Sequence, residues 1–282
     1  MRVLITGGAG FVGQWLQRCL EDTGHAVWAP SSELLDVGRR EACRDWVQEA
    51  EPDWVFHLAA RTERTRIALD PEGCLNLATQ GTRNILEAVS ETPRNTRVVV
   101  ASSCHVYGSP QVLPLKETHP LGGESVYARS KRALEGVASE VSGVEVVVAR
   151  LFHLVGPGQS PAFAVAGWAR QGCQGSEEIR VGNLAIERDY LDVRDGVSAL
   201  LVLADRGRAG HAYNVCSGRS VRLRWLFDRV ASGRAPRVDP ARVRSDDAPC
   251  VVGDCSQLTA LGWAPEFSLE QSLRDLVDSL KD

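Results

Sequence analysis

Tyr127 and Lys131 stand four residues apart in the stretch Tyr127-Ala128-Arg129-Ser130-Lys131, so on a helix they share one face. A phenol and an ammonium on one face make a proton-transfer pair. A free phenol has a pKa of about 10, and bringing it near 7 takes about 4 kcal/mol at about 1.36 kcal/mol per unit. One positive charge at about 4 Å and an effective dielectric of about 20 supplies that much. The chain has three lysines (Lys116, Lys131, Lys281) against 29 arginines, and four tyrosines. Lysine therefore stands here against the bias of the composition. Arginine would keep the charge, but its planar fork replaces a compact point charge poorly. An ordinary exposed Tyr and Lys on a helix is the plain alternative.

The elements that must position this pair argue against that alternative. Arg2-Val3-Leu4-Ile5-Thr6 is a short apolar run that reads as a buried parallel strand. Gly7-Gly8-Ala9-Gly10-Phe11-Val12-Gly13 follows, then residues 14–23 with Trp15, Leu16, Cys19 and Leu20 at helical spacing, closed by Gly24. Strand, glycine turn and helix together form a phosphate-binding element. Glycines let the backbone approach a pyrophosphate, whose charge sits at the helix N-terminus. The spacing is G-x-x-G-x-x-G, and its weight comes from its place between strand and helix. It points to a dinucleotide, with Gly7, Gly10, Phe11, Val12 and Gly13 as candidate contacts. The second strand, 25–29, ends at Ala29-Pro30-Ser31-Ser32 without the acid that binds an NAD ribose. Ser31 tolerates a 2′-phosphate, so NADP is expected ahead of NAD. Asp36-Val37 either borders the adenine or is a plain loop.

Residues 39–50 read as a helix and 54–60 as a third buried strand, ending in Leu58-Ala59-Ala60, small enough for a cofactor to lie close. His57 inside that run is expected to be a satisfied core histidine. Residues 71–92 read as one long helix, with Asn76 either facing solvent or anchoring something. A fourth strand, 97–101, delivers Ser102 and Ser103 at its C-terminal end, where parallel sheets place ligands. The Tyr127 helix and a fifth strand, 145–151, follow. The expected fold is α/β: a doubly wound parallel sheet of Rossmann type with a smaller α/β C-terminal substrate lobe. Residues 1–155 would form the dinucleotide-binding domain, rejoined by about 185–205, and 156–282 mostly the lobe. In it, helices are expected at 162–172, 194–205, 222–232 and 268–280, strands at 179–181 and 212–215, and a Pro- and Arg-rich loop at 235–249.

At 282 residues the chain can bury one or two cores. Hydrophobic content of 44% and charged content of 24% are those of a globular protein, and a net charge of −4 gives no reason to expect nucleic acid or membrane partners. There is no apolar run of membrane-spanning length, and the N-terminus enters a strand at once, without a signal peptide. The eight cysteines include no C-x-x-C pair, and Cys250 and Cys255 lack the partners a zinc site needs. No metal is expected, and the thiols suit a reducing, cytoplasmic setting.

Taken together, Thr6 through Gly13, His57-Leu58-Ala59-Ala60, Ser103 with Val106-Tyr107-Gly108, and Tyr127-x-x-x-Lys131 resemble the extended short-chain dehydrogenase/reductase family over the whole chain. The downstream half is most similar to the branch that reduces GDP-linked 4-keto-6-deoxy sugars. The stretches that carry this are Arg150-x-Phe152-x-x-x-Gly156-Pro157-Gly158-Gln159, Ile179 through Leu184, Arg188 through Asp195, Tyr213 through Gly218, and Arg244 through Asp254. The resemblance implies Tyr127 as general acid/base, Ser103 as hydrogen-bond partner of the substrate oxygen, and Lys131 on the nicotinamide ribose, with Leu154 also near the cofactor. It implies Arg188 and Arg244 on the substrate diphosphate, whose planar forks suit phosphate, and Asn183, His105 and His153 as further substrate candidates. Salt bridging is the plain alternative for the arginines, wall-filling for His153. One departure bears on the sugar: the branch carries Asn-His after the phenylalanine of the fifth strand, and this chain carries His153-Leu154. The partner implied is a nucleotide-diphosphate sugar, and the assembly a homodimer through 71–92 and 125–142. An NAD-dependent sugar-nucleotide epimerase would use the same Ser, Tyr and Lys, and a catalytically silent dinucleotide sensor would be expected to have lost the Tyr or Lys.

Overall fold

A computed structural model describes residues 1–109, 112–243 and 247–281. In chain order the first half comprises β1 (Arg2–Thr6), α1 (Phe11–Asp22), β2 (Ala26–Trp28), α2 (Arg40–Ala50), β3 (Trp54–His57), α3 (Arg64–Leu69), α4 (Pro71–Asn76), α5 (Thr82–Ser90), β4 (Arg97–Ser103), α6 (Val126–Glu140) and β5 (Glu145–Leu151). The second half comprises β6 (His153–Val155), α7 (Ala164–Cys173), β7 (Glu178–Val181), β8 (Glu187–Asp192), α8 (Val193–Arg206), β9 (Ala212–Val215), β10 (Ser220–Arg222), α9 (Leu223–Val230), β11 (Ala235–Val238), β12 (Cys250–Val251), α10 (Ser256–Ala260) and α11 (Leu269–Asp278).

Six strands form one parallel sheet in the order β2-β1-β3-β4-β5-β9. Its apolar runs are continuous because both faces are covered. Alternate residues feed different layers: Val3, Ile5, Phe56 and Val99 pack toward α1 and α8, while Leu4, Val55, Val98 and Val100 pack toward α2, α5 and α6. Fully burying one such large apolar side chain contributes about 1.5–3 kcal/mol. Strand order reverses between β1 and β3, which opens a crevice at the carboxyl ends of the strands, the place where such sheets bind ligands. Architecture and chemistry therefore meet at one edge, where β1 yields to the glycine turn, β3 to Leu58, and β4 to Ser103.

Past β5 the chain builds a smaller unit. β8 pairs with β6 and β12 in parallel and with β10 antiparallel, β7 pairs with β11, and α7, α9 and α11 bury Trp168, Leu226, Phe227, Leu273 and Leu276 against this group. Between those segments, α8 and β9 return to the large sheet.

Several elements differ from expectation. The helix expected over 71–92 is α4 and α5 joined by a π-helical turn, Leu77–Gly81. At Gly81 a Cβ would lie 2.8 Å from Val37 Cγ2, so glycine permits the close approach of the helix to the loop before α2. The buried Asn84 then donates to the Val37 carbonyl at 2.8 Å, while Asn76 is exposed. Helix α1 begins at Phe11 instead of residue 14, and β3 ends at His57 instead of 60. Residues 235–238, expected in a loop, form β11, because β7 offers a parallel partner. No helix among the described residues is long and apolar enough to cross a membrane.

Candidate active site

Ser103 ends β4 in extended conformation and starts a 3-10 turn, Cys104–Tyr107. Its Oγ accepts from the His105 amide at 3.3 Å and lies 3.1 Å from His105 Nδ1. Gly108 reverses the chain at φ +75°, where a Cβ would meet the Gly122 carbonyl oxygen at 2.8 Å. Ser125 then starts α6 by accepting from the Ala128 amide at 3.2 Å. Tyr127 and Lys131 share a face of that helix. Lys131 is 3% exposed, donates to the Ala101 carbonyl at 2.6 Å, and holds its Nζ 5.9 Å from the centre of the Tyr127 ring.

The electrostatics differ from the expected lowering of the phenol. Burial pushes Tyr127 up to about 12, opposed by a hydrogen bond with Ser103. Burial pushes Lys131 down to about 8, opposed by Cys74 and Glu135. Desolvation outweighs the ammonium because the charge is spent on a backbone carbonyl and stands off the ring. The consequence is a phenol that keeps its proton at neutral pH.

Below this group lies a network that the spacing argument passed over. Glu135, one turn beyond Lys131, pairs with Arg150 at 2.8 Å and accepts from Ser102. Arg150 also donates to the Tyr107 hydroxyl at 2.9 Å, which donates to Asn214 at 2.6 Å. The second i,i+4 step along α6 was the available signal. His57 is a satisfied core histidine, 2.8 Å from Thr6 Oγ1 and 3.1 Å from Thr82 Oγ1, and pushed down to about 3 by burial.

The glycine turn lies across the same edge. Gly7 has φ +73°, and a Cβ there would sit 2.8 Å from the Ala59 amide nitrogen. A Cβ on Gly13 would sit 2.4 Å from the Gly7 carbonyl oxygen. The glycines thus serve the fold first, letting α1 and β3 close on the turn. Gly10 is the N-cap of α1 with no capping side chain, and no acid stands in the first turn. Amides so placed, beside a cradle that side chains would fill, suit a dinucleotide pyrophosphate. Phe11, Val12 and Leu58 pack on the core, and Ala59 and Ala60 are half-buried. Ser31 is exposed after β2, Asp36 accepts from the Gly38 amide at 2.9 Å, and Val37 is buried under α5. Leu154 is buried against Gly196 of α8.

On the lobe side a chain of rings approaches Tyr127. His105 and Tyr127 have ring centres 5.4 Å apart, His105 and His153 5.8 Å, His153 and Tyr190 5.2 Å. His153 is pushed down to about 3, by burial first and by His105 and Arg188 next. Its Nδ1 lies 3.3 Å from the Asp189 carbonyl oxygen, which only accepts, so that nitrogen carries the proton. Arg188 is 7% exposed, donates to the Glu187 and Ala248 carbonyls, and pairs with Asp247 at 3.3 Å. The fully buried Asp189 carboxylate accepts from Ser217 N (2.8 Å), Ser217 Oγ (2.6 Å), Gly218 N (3.0 Å) and Gly253 N (3.2 Å). Neither Asp189 nor Tyr190 was singled out from the sequence; their adjacency to Arg188 was the only cue. Asn183 turns the chain between β7 and β8, accepting from the Ala185 amide at 2.9 Å. Arg244 lies outside the described residues. The structure thus gathers Ser103, His105, Tyr127, Lys131 and His153 into one group, while Asn183 belongs to a separate turn.

A parallel sheet with a glycine turn at its switch point and a Ser–Tyr–Lys group on the same edge defines a nicotinamide-dinucleotide oxidoreductase of the extended short-chain type. The chain belongs to the NAD dependent epimerase/dehydratase family, whose model matches residues 3–216. It is 35% identical to the GDP-6-deoxy-D-mannose reductase of Pseudomonas aeruginosa, over 98% of this chain and 96% of that one. The structure of RMD from Pseudomonas aeruginosa complexed with NADPH superposes with a TM-score of 0.90 at 33% identity, covering 100% of this chain and 99% of that one. UDP-glucose 4-epimerase of Thermus thermophilus, solved with NAD, superposes with a TM-score of 0.89 at 29% identity and the same coverage.

Proposed function

We propose that the protein reduces a nucleotide-linked 4-keto-6-deoxy sugar of the GDP-4-keto-6-deoxymannose type, using NADPH in preference to NADH. The observation that carries this reading is the convergence of Ser103, Tyr127 and Lys131 beside the glycine turn, in a chain 35% identical to a GDP-6-deoxy-D-mannose reductase. When bound, the reduced nicotinamide supplies a hydride to C4 of the sugar. Tyr127 gives its proton to the oxygen on that carbon, and the Ser103 hydroxyl donates to the same oxygen. Lys131 holds a positive charge near the phenolate left behind. His153 presents Nε2 as an acceptor for a sugar hydroxyl; the fork of Arg244 suits the diphosphate, and Arg188 would join it by exchanging Asp247 for phosphate while its carbonyl bonds to Glu187 and Ala248 hold. Ser31, exposed after β2, would leave room for a 2′-phosphate.

Reduction needs the phenol to arrive with its proton, whereas epimerisation begins with oxidation and needs the same residue as phenolate. The epimerase reading stays in view through the likeness to the Thermus enzyme. The test is to incubate the protein with NADPH or NADH and a panel of nucleotide 4-keto-6-deoxy sugars, following nicotinamide absorbance and product mass. Stoichiometric NADPH loss with a product two mass units heavier is expected. Isomerisation without net cofactor loss would establish the epimerase instead. The same reading places the enzyme in the cytoplasm as a homodimer joined through 71–92 and 125–142, which size-exclusion chromatography checks.

A further inference from the structure

A proton donor must be recharged after each turnover. Tyr127 is half-buried, and Lys131 is 3% exposed and tied to the Ala101 carbonyl. Ser103 is 5% exposed, faces the phenol and lies 3.1 Å from His105 Nδ1. His105 is exposed, and its ring meets the Tyr127 ring edge-on at 5.4 Å. Phenol, hydroxyl and imidazole thus stand in sequence from the buried donor to the surface.

We propose that His105 returns the proton to Tyr127 through the Ser103 hydroxyl. This inference rests on Tyr127 as the proton donor in the proposed reduction. The step balances as follows. The exposed His105 ring first takes a proton from water at its bare Nδ1 and becomes imidazolium; the phenolate then takes the Ser103 hydroxyl proton and Ser103 takes the Nδ1 proton, leaving the neutral ring with its proton on Nε2. Net, one solvent proton replaces the one given to the sugar oxygen. In the resting state the hydroxyl donates to a bare Nδ1; in reloading both bonds reverse direction. A hydroxyl can do this because it donates and accepts at once.

The groups around His105 leave it as the carrier. From its own turn, the Cys104 Sγ lies 3.8 Å from Nδ1, and burial keeps that thiol up at about 12. From β6, His153 is held neutral and faces it at 5.8 Å. From α6 comes Tyr127 itself. The fixed charges behind these rings are Arg188, which acts on His153, and Lys131, whose Nζ lies 5.9 Å from the centre of the Tyr127 ring.

The experiment compares wild type with H105Q, H105A and Y127F, using NADPH and GDP-4-keto-6-deoxymannose. In H105Q the first turnover, followed by rapid mixing, keeps its rate within about threefold, while steady-state turnover falls about 10- to 100-fold, at or below the low end for proton-transfer groups. Wild-type turnover falls as pH rises, because the carrier must be imidazolium to give its proton, and H105Q loses that dependence. Imidazole in the buffer restores H105A and does nothing for Y127F, which is slow from the first turnover. Without any ligand, nitrogen NMR of wild type shows His105 protonated at Nε2 with Nδ1 accepting, a bias that S103A removes. Unchanged steady-state turnover in H105Q overturns the relay. So does a first turnover as slow as the steady state with no imidazole rescue, which would make His105 a substrate contact. A normal first turnover in Y127F removes the proton-donor reading and the relay together.

Discussion

The sheet with its glycine turn and the C-terminal lobe solve the same problem, fixing the end of a strand edge, with different materials. The glycine turn works through backbone: Gly7 and Gly13 admit no Cβ, and Gly10 starts α1 with no capping side chain. The lobe works through one buried side chain, the Asp189 carboxylate, that gathers amides and a hydroxyl from distant segments. His153, Asp189, Ser217 and Gly253 meet only because β6, β8, β9 and β12 converge. A site made of backbone is dictated by a short local motif. A site made of side chains tolerates exchange, which is where His153-Leu154 departs from the expected Asn-His.

The contrast can be broken most severely at the group the halves share. Tyr127→Phe is expected to lower turnover by at least about 100-fold while dinucleotide affinity, read by fluorescence quenching, stays put. A matched pair comes next. Gly13→Ala forces a Cβ to within 2.4 Å of the Gly7 carbonyl and is expected to cost about 1–3 kcal/mol of stability, with weakened dinucleotide binding. Asp189→Asn replaces an acceptor of four hydrogen bonds by a side chain that must donate with one end, for a comparable loss of about 1–3 kcal/mol, but its binding defect should fall on the sugar nucleotide. Calorimetry on both ligands separates the two; equal defects on both would dissolve the distinction.

Smaller effects refine it. Lys131, held down to about 8, loses its ammonium as pH rises through that value, so turnover should decline above about pH 8 in a pH–rate profile. His57 is held near 3 in the folded chain against about 6.5 unfolded, so the unfolded chain binds the extra proton between those values. Its contribution to stability is complete above about pH 6.5 and lost as pH falls toward 3; denaturant melts of wild type and His57→Asn should converge at the acid end. Smallest, Ser31→Asp on an exposed loop should leave stability within about 0.5 kcal/mol while shifting preference from NADPH toward NADH about tenfold, by repelling a 2′-phosphate.

Much of the large sheet was legible in the residue pattern. The strands at 145–151 and 212–215 and the Tyr127 helix coincide with the structure, since buried parallel strands read as unbroken apolar runs between glycines and helices. The short strands were not. β6, β10 and β12 hold two or three residues, too few for any period, and β11 carries Pro236 and Arg237 that read as loop. The π-helical turn at Leu77–Gly81 leaves no mark in composition, because it follows from how closely Gly81 must approach Val37. In the candidate site, the shared helix face of Tyr127 and Lys131 was legible from spacing, whereas Ser103 was singled out from Ser102 only by the family resemblance. Asp189 was not legible, because a carboxylate in a polar stretch reads as surface until the two segments that donate to it, 217–218 and 253, are in place.

That single carboxylate gives the lobe an unexpected property. Residues 217, 218 and 253 are all fastened to Asp189, whose own carbonyl orients His153. The wall that Asp189 ties together therefore moves as one piece or not at all. Altering its preference by exchanging one loop would pull on the others, so a new sugar specificity should arise through coordinated replacement of these strands, or through the one ring at their margin.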